Sequence, residues 1–115
     1  DGHTASLFPH SPALATGQRP PRLVRINSGP AVTPPDRVTM TYDLINASRF
    51  IAVLVTGAGK RAMLSRIAAS AGESGPHHPL LQEIPILGIK PVAGVQRWYL
   101  DHAACPDPAA PAAAT

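Results

Sequence analysis

The run Phe50-Ile51-Ala52-Val53-Leu54-Val55 constrains this chain more than any other stretch. It is continuously apolar and leads into Thr56-Gly57-Ala58-Gly59-Lys60, which reads as a loop. A helix is expected from Lys60 to Ala69. Met63, Leu64, Ile67 and Ala68 share one face of it, while Arg61, Ser65 and Arg66 point away. An apolar run followed by a glycine loop and a helix reads as a buried parallel strand.

The other segments fit around this unit. Residues 3–9 are expected to begin a short helix ended by Pro9, with Leu7 and Phe8 anchoring it to the core. Residues 10–21, 27–35 and 72–79 read as loops. Leu23 to Ile26 reads as a short strand. Arg37 to Thr41 alternates, with Val38 and Met40 on one face and Arg37, Thr39 and Thr41 on the other, which is strand periodicity. Asp43 is positioned to cap a helix from Leu44 to Arg49. Leu80-Leu81 begins a short turn, and Pro85 and Gly88 interrupt the apolar residues from Ile84 to Ile89. Val95 to Leu100 is the last strand, and Asp101 is placed to cap a short helix from His102 to Cys105. Residues 1–105 are expected to be the C-terminal part of one domain, and residues 106–115, dominated by Pro and Ala, read as a disordered tail. Strands alternating with helices predict an α/β fold with a Rossmann-like, largely parallel sheet flanked by helices. Ligands in such sheets bind outside the carboxyl ends of the strands. Asp1-Gly2-His3 and the loop at 56–60 are both expected on that edge.

Charge and cysteine usage narrow the function. The net charge is +3, but the arginines are scattered and no aromatic platform accompanies them, which argues against nucleic acid. The longest apolar run is far short of a membrane span. The single cysteine, Cys105, excludes an internal disulfide and a multi-cysteine zinc site and fits a reducing cytoplasm. His77-His78 has no carboxylate or cysteine at ligand spacing, so no metal site is expected. The loop at 56–60 is not a nucleotide P-loop, because Leu54 and Arg61 stand where that motif needs Gly and Ser or Thr. Gly-x-Ser-x-Gly is absent, so no serine nucleophile elbow is expected. Trp98 reads as core or interface rather than a stacking platform.

Asp1 and His3 place a carboxylate and an imidazole across a glycine, a common way to build a general base. The longer string Asp1-Gly2-His3-Thr4-Ala5-Ser6-Leu7-Phe8-Pro9 resembles the signature of the 6-phosphogluconolactonases. Further resemblances follow in the same order. They are Pro34-Pro35-Asp36-Arg37-Val38-Thr39-Met40-Thr41, Leu44-Ile45-Asn46-Ala47-Ser48-Arg49, the loop Val55 to Lys60, and Trp98-Tyr99-Leu100-Asp101. The resemblance covers residues 1 to about 104 and implies that the chain corresponds to the C-terminal half of a longer enzyme.

It also implies a substrate, the δ-lactone of 6-phosphogluconate in the oxidative pentose phosphate pathway, and hydrolysis without metal, cofactor or covalent intermediate. His3 would be the base that activates water, and Asp1 would orient it. Lys60, where a loop enters a helix, and Arg37, aimed by two prolines, would hold the phosphate. The expected partner is therefore a small sugar-phosphate lactone, with no nucleic acid and no membrane. Two alternatives stand. Glucosamine-6-phosphate deaminases and isomerases share Asp-Gly-His but continue with a glutamate that assists the histidine, and no acid lies between His3 and Asp36 here. A non-catalytic sugar-phosphate-binding module, or an inert fragment, is the other.

Overall fold

The computed structural model describes residues 1–70 and 74–106. Its strands are β1 (Val24–Ser28), β2 (Asp36–Met40), β3 (Phe50–Val55) and β4 (Val95–Leu100), and its helices are α1 (Tyr42–Asn46) and α2 (Arg61–Ser70). Single 3-10 turns lie at Pro12–Leu14, Ala58–Lys60 and Pro85–Gly88. The expected tail falls outside the described residues except for Pro106.

The α/β architecture and the parallel pairing at its centre are as expected. β3 and β4 run parallel in register from Phe50 opposite Val95 to Val55 opposite Leu100. β1 and β2 instead form a separate antiparallel pair, with Val24 opposite Met40 and Ser28 opposite Asp36. Only residues 29–35 join them, too short a connection for the crossover that parallel strands need.

Burial departs from the strand patterns. On the outer face of the hairpin, Ile26 is 80% and Val38 71% exposed, whereas Asn27 and Thr39 are turned inward and buried. β3 is likewise covered on one face only: Phe50 and Leu54 are exposed, and Ile51 and Val53 pack against the core. The centre of the core is the irregular segment Ile84–Ile89, buried throughout and packed with Leu7, Leu14, Tyr42 and Leu81. Its backbone makes no ladder, so side chains reach in to satisfy it. The Tyr42 hydroxyl donates to the Pro85 carbonyl at 2.6 Å, and Asn46 Nδ2 donates to the Gly88 carbonyl at 3.1 Å. Asn46 Oδ1 also accepts from the Lys90 N–H at 2.8 Å, so this residue bridges elements far apart in sequence.

Three local expectations are corrected. Residues 3–9 form a turn closed by a Thr4–Leu7 bridge, not a helix, because Ala5 adopts a left-handed φ of 48° and the Ser6 backbone is bonded elsewhere. α1 is capped by Thr41, whose Oγ1 accepts from the Leu44 N–H at 3.3 Å, and Asp43 sits in the first turn. Residues 102–105 are turns. Asp101 does cap them, accepting from the Ala104 N–H at 2.8 Å, but no helix follows.

Candidate active site

The first turn of the chain brings two functional groups into direct contact. His3 Nδ1 lies 2.6 Å from Asp1 Oδ1, and the same oxygen accepts the His3 backbone N–H at 3.1 Å. The turn depends on Gly2, whose φ is 74° and where a Cβ would stand 2.6 Å from Ile84 Cγ2. The Gly2 carbonyl accepts the Ile86 N–H at 2.9 Å, fixing the turn to the core segment. A carboxylate facing Nδ1 selects the tautomer with the proton on that nitrogen and leaves the Nε2 lone pair outward.

The second loop enters from β3. Gly57 takes φ 94°, ψ 145°, a conformation that glycine tolerates and β-carbon residues do not. Its N–H donates to both carboxylate oxygens of Asp101, at 3.1 and 3.2 Å, and its carbonyl accepts the Lys60 N–H at 3.2 Å. Arg61 Nε donates to the Ala103 carbonyl at 2.7 Å, a second tie between the loop after β3 and the turn after β4. Lys60 is exposed and forms no ion pair among the described residues.

Asp1, His3 and Lys60 line one cleft of about 430 Å³, together with apolar side chains that include Ile51, Val53, Met63 and Ile86. The two loops expected on one sheet edge thus share a cavity of ligand-binding size. Arg37 is not on its lining. Its guanidinium donates to the carbonyls of Pro34 at 2.7 Å and Thr33 at 3.1 Å, and it lies 5.8 Å from the centroid of the Phe8 ring. His3 also lies beside Phe8, with ring centroids 5.5 Å apart, so Arg37 stands one ring away from the imidazole. Its Nη1 makes a single long contact, 3.5 Å to Ser6 Oγ, among the described residues.

The electrostatics favour a neutral imidazole. Partial burial holds the His3 pKa below its ordinary 6.5, and the positive charges of Lys60 and Arg37 add to the shift. The direction is downward even with the Asp1 carboxylate 2.6 Å from Nδ1. His78, by contrast, has both ring nitrogens engaged, with Nδ1 accepting from the Leu80 N–H and Nε2 donating to the Ser70 carbonyl at the end of α2. It serves the fold. Trp98 lines the cleft at 37% exposure. No group of His, Cys, Asp or Glu able to hold a metal ion occurs among the described residues. None of their helices is long and apolar enough to cross a membrane.

The Asp1–His3 pair and Lys60 line one cleft beside the loop that joins β3 to α2, which makes this an α/β protein with a cleft at a βα edge. Comparison gives the family. Residues 1–98 match the family described as glucosamine-6-phosphate isomerases/6-phosphogluconolactonase, and the chain belongs to it. Over 104 residues, 90% of this chain, it is 40% identical to the 6-phosphogluconolactonase of Bos taurus and 39% identical to that of Homo sapiens. A 6-phosphogluconolactonase of Synechocystis is 40% identical over the same share. The solved structure titled "Crystal Structure of devB protein" superposes with a TM-score of 0.67 at 34% identity, over 90% of this chain and 39% of that one. The chain spans 36% of the length of the bovine and human relatives.

Of the residues singled out in the sequence, the fold brings Asp1, His3 and Lys60 together and sets Arg37 behind Phe8. Asp101 was legible as a helix cap and as the end of the segment Trp98-Tyr99-Leu100-Asp101, but not as the support of the loop at 56–60. Its partner, Gly57, lies 44 residues away, and no local pattern announces that contact.

Proposed function

We propose that this chain carries the base and phosphate-binding face of a 6-phosphogluconolactonase, the C-terminal part of such a domain over residues 1–105. The observation that carries the reading is the 2.6 Å Asp1–His3 pair lining the same cleft as Lys60. Names of the relatives support the substrate, 6-phosphoglucono-δ-lactone, and a place in the pentose phosphate pathway is part of the same proposal.

His3 Nε2 takes a proton from water as the oxygen adds to the lactone carbonyl carbon. Asp1 holds Nδ1–H and stabilises the imidazolium that forms. Collapse of the tetrahedral adduct breaks the bond to the ring oxygen, which recovers the proton from Nε2. The product is the open 6-phosphogluconate, and His3 is again neutral. The depressed pKa keeps it so at neutral pH. Lys60 holds the phosphate. Arg37 is the second cation. Nη1 is the guanidinium nitrogen available to turn toward the anion, and its charge already reaches His3.

The test is a lactonase assay on the full gene product against spontaneous hydrolysis, with glucosamine 6-phosphate as a parallel substrate. His3→Ala is expected to lower kcat by about 100-fold or more with little change in KM. Lys60→Ala and Arg37→Ala are expected to raise KM for the phosphorylated lactone and to leave a dephosphorylated analogue nearly unaffected. Equal turnover by His3→Ala removes the base assignment, equal losses on both lactones remove the phosphate assignment, and ammonia release moves the chain to the deaminase branch.

A further inference from the structure

The hairpin of β1 and β2 has its pattern reversed. Its apolar residues Val24, Ile26, Val38 and Met40 are exposed, while Asn27 and Thr39 are 5% and 2% exposed on the inner face. Burying polar side chains in place of apolar ones costs stability unless every group is bonded. Here the bonds converge on one residue of the histidine loop. The Ser6 N–H donates to Thr39 Oγ1 at 3.0 Å, and the Ser6 carbonyl accepts Asn27 Nδ2 at 2.6 Å. Thr39 Oγ1 is itself fixed by donating to the Met40 carbonyl at 2.8 Å, and Asn27 Oδ1 by accepting from Ser11 Oγ at 2.6 Å.

We propose that Thr39 and Asn27 are positioning residues for His3, acting through the backbone of Ser6; the proposal rests on His3 being the base. The short turn carrying His3 is anchored at both ends, at Gly2 by the Ile86 N–H and at Ser6 by the hairpin. Between the anchors, Ala5 is held at φ 48°, a conformation an alanine leaves when its neighbours are released. Relaxation of Ala5 rotates the chain immediately after the Thr4 peptide and moves the imidazole relative to the cleft. A pair of ordered strands is a stiffer support for a reacting group than a loop.

The experiment compares Thr39→Val and Thr39→Ser in the full gene product, with kcat expressed per folded molecule from a cooperative melting curve. Thr39→Val keeps the shape and removes the acceptor for the Ser6 N–H. It is expected to lower kcat by about 10- to 100-fold, the scale of an ångström-sized misplacement, with KM for 6-phosphoglucono-δ-lactone within about twofold of the parent. Thr39→Ser restores the hydroxyl and most of kcat. Asn27→Ala, which releases the Ser6 carbonyl, shows the same split and takes over the test if Thr39→Val does not melt cooperatively. Parental kcat in a folded variant, or a fall in kcat matched by the folded fraction alone, overturns the assignment. So does failure of both variants to fold, since the bonds then serve stability. His3→Ala is run alongside. If it keeps parental turnover, the base reading has failed, and that result is separate from anything the Thr39 variants do.

Discussion

At the scale of single residues, the informative group is His3, because the displacement of its pKa has a sign. The His3 pKa is displaced below 6.5 by burial and neighbouring positive charge. The neutral form is therefore favoured in the folded protein, and the unfolded chain binds the extra proton between the folded value and 6.5. Stability gained from the neutral ring is present above pH 6.5 and declines as pH falls through the depressed value. Activity follows the same direction. The acid limb of kcat/KM is expected below pH 6.5, and Lys60→Ala, which removes one of the charges opposing protonation, is expected to move it upward. A pH–rate profile of the two proteins checks this. A limb displaced downward by Lys60→Ala contradicts the electrostatic account.

At the scale of elements, two loops meet because each is tied to structure on its far side. The turn at 1–6 is held by the core segment and the hairpin, and the loop at 56–60 by the turn after β4. Asp101 accepts from Gly57 while that glycine occupies a conformation other residues avoid, so the carboxylate orders the segment ending in Lys60. Asp101→Ala is expected to raise KM for the phosphorylated lactone by about tenfold, one charge-assisted hydrogen bond's worth of ordering, and to change kcat little. Asp101→Asn keeps one acceptor oxygen and is expected to fall between. Steady-state kinetics on the phosphorylated and dephosphorylated lactones checks both, since a general loss of folding would lower rates on the two substrates alike.

At the scale of the whole molecule, one core serves all the elements, but two sheet faces stay open. Leu7, Tyr42, Ile84, Leu87 and Ile89 are almost completely buried around a segment that belongs to no strand or α-helix. Truncation of Leu7 to Ala is expected to cost about 2–5 kcal/mol in urea unfolding, the range for a buried leucine. The hairpin's outer face and the outer face of β3 and β4 expose Ile26, Val38, Phe50, Leu54 and Tyr99. Contiguous apolar surface of this kind binds hydrophobic dyes. The 115-residue chain alone is expected to enhance ANS fluorescence, and Ile26→Thr with Val38→Thr is expected to reduce that signal without lowering the melting temperature.

The β3–loop–α2 unit was legible because an apolar run, a glycine loop and a helical period are local signals, and side-chain spacing follows backbone geometry. Asp1-Gly2-His3 was legible for the same reason: its bonds span two residues. The shape of residues 3–9 was not, because Ala5 and Ser6 take their conformation from Thr39 and Asn27, residues remote in the chain. Nor was the inward turn of the hairpin's polar face, since alternation tells which residues share a face but not which face meets the core. Local order followed from sequence through backbone periodicity and turn chemistry. Tertiary structure decided which polar groups faced one another, because a buried donor must find an acceptor wherever the fold supplies one.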